Sequence, residues 1–159
     1  MDIQIRKAEV SDVPGISDVL RSLGFFALIN AEAPQATQER VLKHLGLCVS
    51  DDSHLVLVAQ TPDGEIAGYG AAHWLPYLIL AGPEGYVSEL FIKEAFRGQT
   101  IGGRLLEAIK AEAQKRGCSR LMLLNMRKRD SYQRQFYPKH GWEERPDAAN
   151  FILPISANK

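Results

Sequence analysis

The sequence predicts a single α/β domain in which a mixed, mostly antiparallel central sheet is flanked by helices. Three observations carry this. Apolar periodicity alternates between strand-like and helix-like spacing, in the order β-α-α-β-β-β-α-β-α-β. In the middle of the chain strands follow one another across a short turn, which calls for antiparallel pairing. The 159 residues, 45% hydrophobic and 24% charged, suit one packed core, with no repeat, linker or low-complexity break. One domain over residues 1–159 is expected.

Ile3 and Ile5 alternate with Gln4 and Arg6 and read as a first strand. Ser11 and Asp12 offer capping oxygens and Pro14 suits a first helical turn. A helix should follow, with Ile16, Val19, Leu20 and Leu23 on one face and Gly24 as its stop. A second helix is expected from Thr37 to Leu45, with Val41, Leu42 and Leu45 as its stripe. His54–Gln60 and Glu65–Trp74 read as strands joined by the turn Thr61–Gly64. A loop rich in Pro and Gly, 76–85, precedes a strand at Tyr86–Ile92, and a long amphipathic helix spans Ile101–Arg116 with Gly117 at its end. Arg120–Leu124 is a further strand, Ser131–His140 a short helix and Phe151–Ile155 a last strand.

Nineteen basic side chains balance nineteen acidic ones. Proteins of nucleic-acid backbones or anionic membranes generally carry a basic excess, so neither partner is expected. The two cysteines, Cys48 and Cys118, stand apart, and the four histidines are dispersed; no metal site is expected. With a polar N-terminus and no apolar run of membrane length, the chain reads as a cytoplasmic protein with reduced thiols. No nucleophile elbow surrounds Ser88 or Ser131, which argues against a serine triad.

The most specific segment is Leu90–Ile109. A strand runs into a loop holding Arg97, Gly98, Gln99, Thr100, Ile101, Gly102 and Gly103, and the loop opens a long helix. Such a junction attracts anions through free backbone N–H groups and the helix dipole. Neither a Walker loop nor a dinucleotide fingerprint is present. The plain alternative is that the glycines only pack the helix closely against the sheet.

The run RGQTIGG after LFI resembles the acetyl-CoA signature of the GNAT family of N-acetyltransferases: Arg or Gln, two residues, Gly, one residue, then Gly or Ala. Arg97 and Gly102 match, while Thr100 replaces the middle glycine. A second segment, SYQRQFYPKHGW, is similar to the family's late motif through Phe136, Tyr137, Lys139, Gly141 and Trp142, with Asp130 where Asn is usual. The resemblance implies the acyl-CoA N-acyltransferase fold, with acetyl-CoA as cosubstrate and no metal. It implies that the backbone of Gly98–Gly103 holds the pyrophosphate beside Arg97. The strand residues Leu90, Phe91 and Ile92 would meet the pantetheine arm, and a bulge near Leu90 would free an N–H for the thioester carbonyl.

The implied reaction is direct transfer of an acetyl group to a primary amine, of a small molecule or a peptide, in a ternary complex. An alkyl ammonium of pKa about 10.4 is neutral only about once in 2500 molecules at pH 7, a cost of about 4.6 kcal/mol, so a base matters. Glu89 is the candidate base; its alternative is an exposed strand carboxylate or an ion-pair partner for a helix. Tyr137 is the candidate donor to the thiolate, against a role as core aromatic. Phe25, Trp74 and Tyr77 are candidates for an amine pocket, and Leu78–Leu80 for contact with a second copy of the chain. The competing function is a non-catalytic acyl-CoA-binding or regulatory module on the same fold. Thr100 favours it, because a β-branched residue resists positive φ.

Overall fold

The computed structural model describes residues 2–155. The chain separates into two compact units, Met1–Leu124 and Asn125–Lys159.

The first unit is built on a five-stranded sheet in the order β1-β2-β3-β4-β5. The strands are β1 (Gln4–Lys7), β2 (His54–Gln60), β3 (Ile66–Leu75), β4 (Glu84–Ile92) and β5 (Arg120–Leu123). The first four run antiparallel to their neighbours; β4 and β5 are parallel, as a connection through a helix allows. The β2–β3 turn closes because the Thr61 hydroxyl donates to Asp63 at 2.6 Å and the Thr61 amide to the Glu65 carbonyl at 2.9 Å.

Helices α1 (Val13–Leu23), α2 (Ala27–Ala31) and α3 (Pro34–Val49) precede β2, and α4 (Ile101–Lys115) links β4 to β5. Gly24 ends α1 in the left-handed region, φ 74°, where a side chain would be strained. Asp12 does not cap α1 with its side chain. Its buried carboxylate instead accepts two bonds from Arg6, 2.8 and 2.7 Å, and one from the Glu9 amide, 2.8 Å. The second helix starts at Pro34, earlier than its apolar stripe suggests, since proline tolerates the first helical turn. Thr37 lies inside it, fully buried, donating to Glu32 at 2.7 Å and accepting from Arg21 at 3.0 Å.

The two faces of the sheet are unlike. One packs Val58, Ile66 and Tyr69 against Val13, Ile16 and Val19 of α1 and Val41 and Leu45 of α3. The other receives α4 through Leu105, Leu106 and Ile109, all buried. Gly70 of β3 makes that approach close, since a Cβ there would meet Ile109 and Leu90 at 3.3 Å; one on Gly68 would meet the neighbouring strand β4, at the Phe91 carbonyl 2.6 Å away.

The second unit holds two short helices, α5 (Asp130–Gln133) and α6 (Phe136–Lys139), where a single helix is expected from the sequence. Gln135 interrupts it at φ 56°. Phe151–Ile155 is not a strand, which corrects the sequence expectation. Its apolar side chains are exposed, and Pro154 removes a backbone donor; strand propensity is realised only against a neighbour.

Candidate active site

The site begins where β4 leaves β5. Their pairing covers Glu84–Val87 against Arg120–Leu123 and then stops, while β4 continues paired to β3 as far as Ile92. Ser88–Ile92 therefore has a strand on one side only. The register against β3 jumps from Ala72↔Val87 to Ala71↔Glu89, so Ser88 is the extra residue of a bulge, two residues before the expected position. The Lys93 amide donates to the Ala67 carbonyl at 2.9 Å. Alternation along an antiparallel ladder then turns the Phe91 and Glu89 main chain toward β3, and that of Leu90 and Ile92 toward the unpaired side. Arg97 Nε donates to the Ile92 carbonyl at 3.3 Å, in keeping with this orientation.

Arg97, Gly98, Gln99 and Thr100 are exposed and lead into α4, whose first residues include Ile101, Gly102 and Gly103. Gly98 has φ 77° and Thr100 φ 62°, both left-handed. Thr100 is the N-cap, yet its side chain makes no capping bond. The first turn's N–H groups, which have no partner within a helix, are thus left to an outside acceptor. Helix dipole and donors together fit an anionic group such as a pyrophosphate.

Glu89 lies on the face packed against α1 and α3, beside Tyr69, Ala71 and Phe91. Burial of its carboxyl by neighbouring groups raises its pKa, and a hydrogen bond from Tyr69 partly offsets this, although the residue as a whole presents area to solvent. Tyr69 is held well above its usual value by burial first and the Glu89 charge second. Cys48, near the end of α3, is also raised, by burial and then by Glu89 and Asp51.

Phe91 sends its ring to this same face, 5.4 Å from Phe26, 6.1 Å from Phe25 and 5.9 Å from Tyr69. Its backbone faces β3, so it is not a main-chain partner for a ligand on the unpaired side, contrary to the sequence expectation. Phe25 belongs to this aromatic cluster, its ring centre 4.7 Å from that of Phe26.

Trp74 and Tyr77 do not. Trp74 is buried on the opposite face, the Arg116 guanidinium 5.0 Å over its ring, because it shares strand parity with Ala72 and Gly70. Tyr77 lies beyond Leu75, itself four residues and about 13 Å of strand from Ala71, the partner of Glu89. Glu84, the first residue of β4, is fully buried and bonded to Arg120. Leu78 and Ile79 stand fully in solvent.

Two groups escaped the sequence-based prediction: Tyr69, and a row of His54, His73 and Ser88 on neighbouring strands. Neither belongs to a linear motif.

In the second unit Tyr137 is half-buried between Phe136, 5.0 Å between ring centres, and Trp142, 6.0 Å. Burial pushes its pKa up to about 12, slightly relieved by Arg134. Among the described residues no group of three His, Cys, Asp or Glu is close enough to hold a metal ion, and no helix is long and apolar enough to cross a membrane.

Comparison with known proteins assigns this arrangement, a split sheet edge running into an uncapped helix, to a known family. Residues 22–142 match the model of the acetyltransferase (GNAT) family, and the chain belongs to that family. It is 26% identical over 141 residues to the thialysine N-epsilon-acetyltransferase of Bos taurus, spanning 82% of this chain and 81% of that one. It is 28% identical over 125 residues to glucosamine 6-phosphate N-acetyltransferase 1 of Oryza sativa subsp. japonica, spanning 76% and 71%. A transcriptional regulator from Bacillus halodurans C-125 shares the fold, with a TM-score of 0.80, 21% identity and coverage of 97% of this chain and 100% of that one.

Proposed function

We propose that the chain, as one domain over residues 1–159, is an N-acetyltransferase that moves an acetyl group from acetyl-CoA to a primary amine by direct attack in a ternary complex. The observation that carries this is the coincidence of two surfaces at the C-terminal end of β4: the Leu90 and Ile92 main chain, which faces away from β3 beyond the β5 pairing, and the uncapped N-terminus of α4. The first suits the amide-bearing pantetheine arm, the second the pyrophosphate. The names of the relatives, which specify thialysine and glucosamine 6-phosphate, support an amine acceptor.

In this assignment Gly98–Gly103 and Arg97 hold the pyrophosphate, and the Leu90 N–H polarises the thioester carbonyl, a preorganised donor at the atom where charge develops. Glu89 takes the first proton from the ammonium. Its raised pKa brings it nearer to the amine than an ordinary carboxylate and so eases that transfer. Phe25 with Phe26 and Phe91 supplies an apolar wall for the amine's carbon skeleton, and their ring faces attract a cation. Tyr137 serves the leaving sulfur. With its pKa at about 12, giving a full proton to a thiolate near 8.5 is uphill by about 5 kcal/mol, so its role is to donate a hydrogen bond. A reducing cytoplasm is the setting that keeps Cys48 and Cys118 as free thiols.

The test is thiol release from acetyl-CoA across a panel of primary amines, run beside calorimetric titration with acetyl-CoA. Binding with amine-dependent release is expected. Binding without release for any amine would instead favour the regulatory module, and absence of binding would refute both.

A further inference from the structure

Forming an amide from an ammonium removes two protons from nitrogen, and Glu89 accounts for one. The face that carries Glu89 also carries a row of three side chains that no part of the proposed reaction uses. Ser88, the bulge residue, lies next to Glu89 and is exposed. Its Oγ is 2.6 Å from His73 Nε2. His73 Nδ1 is in turn 2.7 Å from His54 Nδ1, the two residues being directly opposite each other on β3 and β2. Both ring nitrogens of His73 are engaged. A neutral assignment satisfies every contact: the Ser88 hydroxyl donates to His73 Nε2, His73 Nδ1–H donates to His54 Nδ1, and His54 keeps its proton on Nε2.

We propose that Ser88, His73 and His54 form a proton exit from the reacting nitrogen to solvent, with Ser88 as the group that meets the amine. This rests on the transferase assignment above. After Glu89 has taken the first proton, the nitrogen lone pair forms the N–C bond and the C–S bond breaks with its pair going to sulfur. The second nitrogen proton passes to Ser88 Oγ as the serine's own proton moves to His73 Nε2. His73 releases its Nδ1 proton to His54 Nδ1, and His54 releases its Nε2 proton to water. The row ends neutral in the opposite tautomers and is reset by ring reorientation or by the reverse shift from solvent. Of the two protons lost by nitrogen, one is balanced by solvent protonation of the coenzyme A thiolate and one is released.

The surroundings suit this use. The titratable groups about His73 are His54 from β2, Tyr86 from β4 with its ring centre at 6.4 Å, Glu89 beyond the bulge, and, from the end of α3, Cys48 near Glu89 and Asp51 near His54. Burial first and the neighbouring His54 second hold His73 below its usual value, so it is neutral and able to accept at pH 7.

The test uses the full chain with the amine that gives the highest turnover in the panel. Ser88→Ala and His73→Gln are each expected to lower kcat about a hundredfold while acetyl-CoA affinity by calorimetry stays within twofold of the parent. The double variant should be no slower than either single one, because the residues act as a unit. Ser88→Thr, which keeps the hydroxyl, should recover most of the rate, and added imidazole should rescue His73→Gly. In the parent, kcat should fall as pH drops through the His73 pKa; His73→Gln should lose that limb and Glu89→Gln should retain it. Singles within twofold of the parent at every pH, or additive losses in the double variant, would overturn the exit while leaving the transferase assignment standing. A parent that turns over no amine would overturn both.

Discussion

Replacing Thr100 by glycine isolates the conformational cost of the loop that opens α4. Thr100 sits at φ 62°, ψ 3°, with no capping bond from its side chain. A β-branched residue there costs about 1–2 kcal/mol relative to one without a Cβ. Glycine loosens the unfolded chain by about 0.5–1 kcal/mol. The difference predicts that Thr100→Gly stabilises by up to about 1.5 kcal/mol, or roughly 3–6 °C in Tm for a chain of this size. Urea unfolding of the parent, Thr100→Gly and Thr100→Ala, read by circular dichroism, measures it. Alanine keeps the Cβ and should gain little. A glycine variant less stable than the alanine one would refute the assignment of strain to this position. Acetyl-CoA affinity should change less than tenfold in either variant, since the backbone donors remain. A glycine variant that bound tightly where the parent did not would show that Thr100 blocks the cradle.

Three further outcomes are expected. Glu89→Gln should lower kcat most for amines of high pKa and remove the limb that belongs to a carboxyl of raised pKa; an unshifted pH–rate profile with such an amine would exclude it as the base. Tyr137→Phe should reduce kcat and leave acetyl-CoA affinity nearly intact, and unchanged turnover across the panel would remove Tyr137 from the reaction. Asp12→Asn should destabilise by about 2–3 kcal/mol in urea titrations, because the Arg6 guanidinium then lacks its charged acceptor. The Arg6 hydrogen bonds hold Asp12 below its usual pKa, against the effect of burial. Its stabilising contribution is therefore complete above the unfolded value near 3.8 and is lost as pH falls through the lower folded value. Equal acid sensitivity in Asp12→Asn and the parent would contradict this.

What the sequence makes legible here is local chemistry. Gly24 stops α1 because only its own φ decides the matter, and the loop from Arg97 to Gly103 can be read as an anion cradle because its donors are consecutive. Features set across strands are harder. Trp74 points away from Glu89 because of register between β3 and β4, and the bulge at Ser88 that fixes this register leaves no mark in composition. His73 meets His54 from 19 residues away and Ser88 from 15, distances that no motif spans. The helix at Ala27–Ala31 is too short for a periodic stripe, and Phe151–Ile155 has strand propensity without a strand to lean on. The resemblance to the GNAT family adds an expectation for the loop from Arg97 to Gly103 and for Glu89, and no motif says which way either faces.

The unpaired margin of β4 has a consequence for the life of the folded chain. A row of open main-chain donors and acceptors is a template for any extended segment, including the same strand of another copy. A pantetheine arm lying along it would act as a removable strand, masking the row while bound and raising the melting temperature with concentration. Coenzyme A, whether or not it carries an acetyl group, would then work as a guardian of solubility. Depleted of it, the protein would face its greatest exposure to edge-to-edge association.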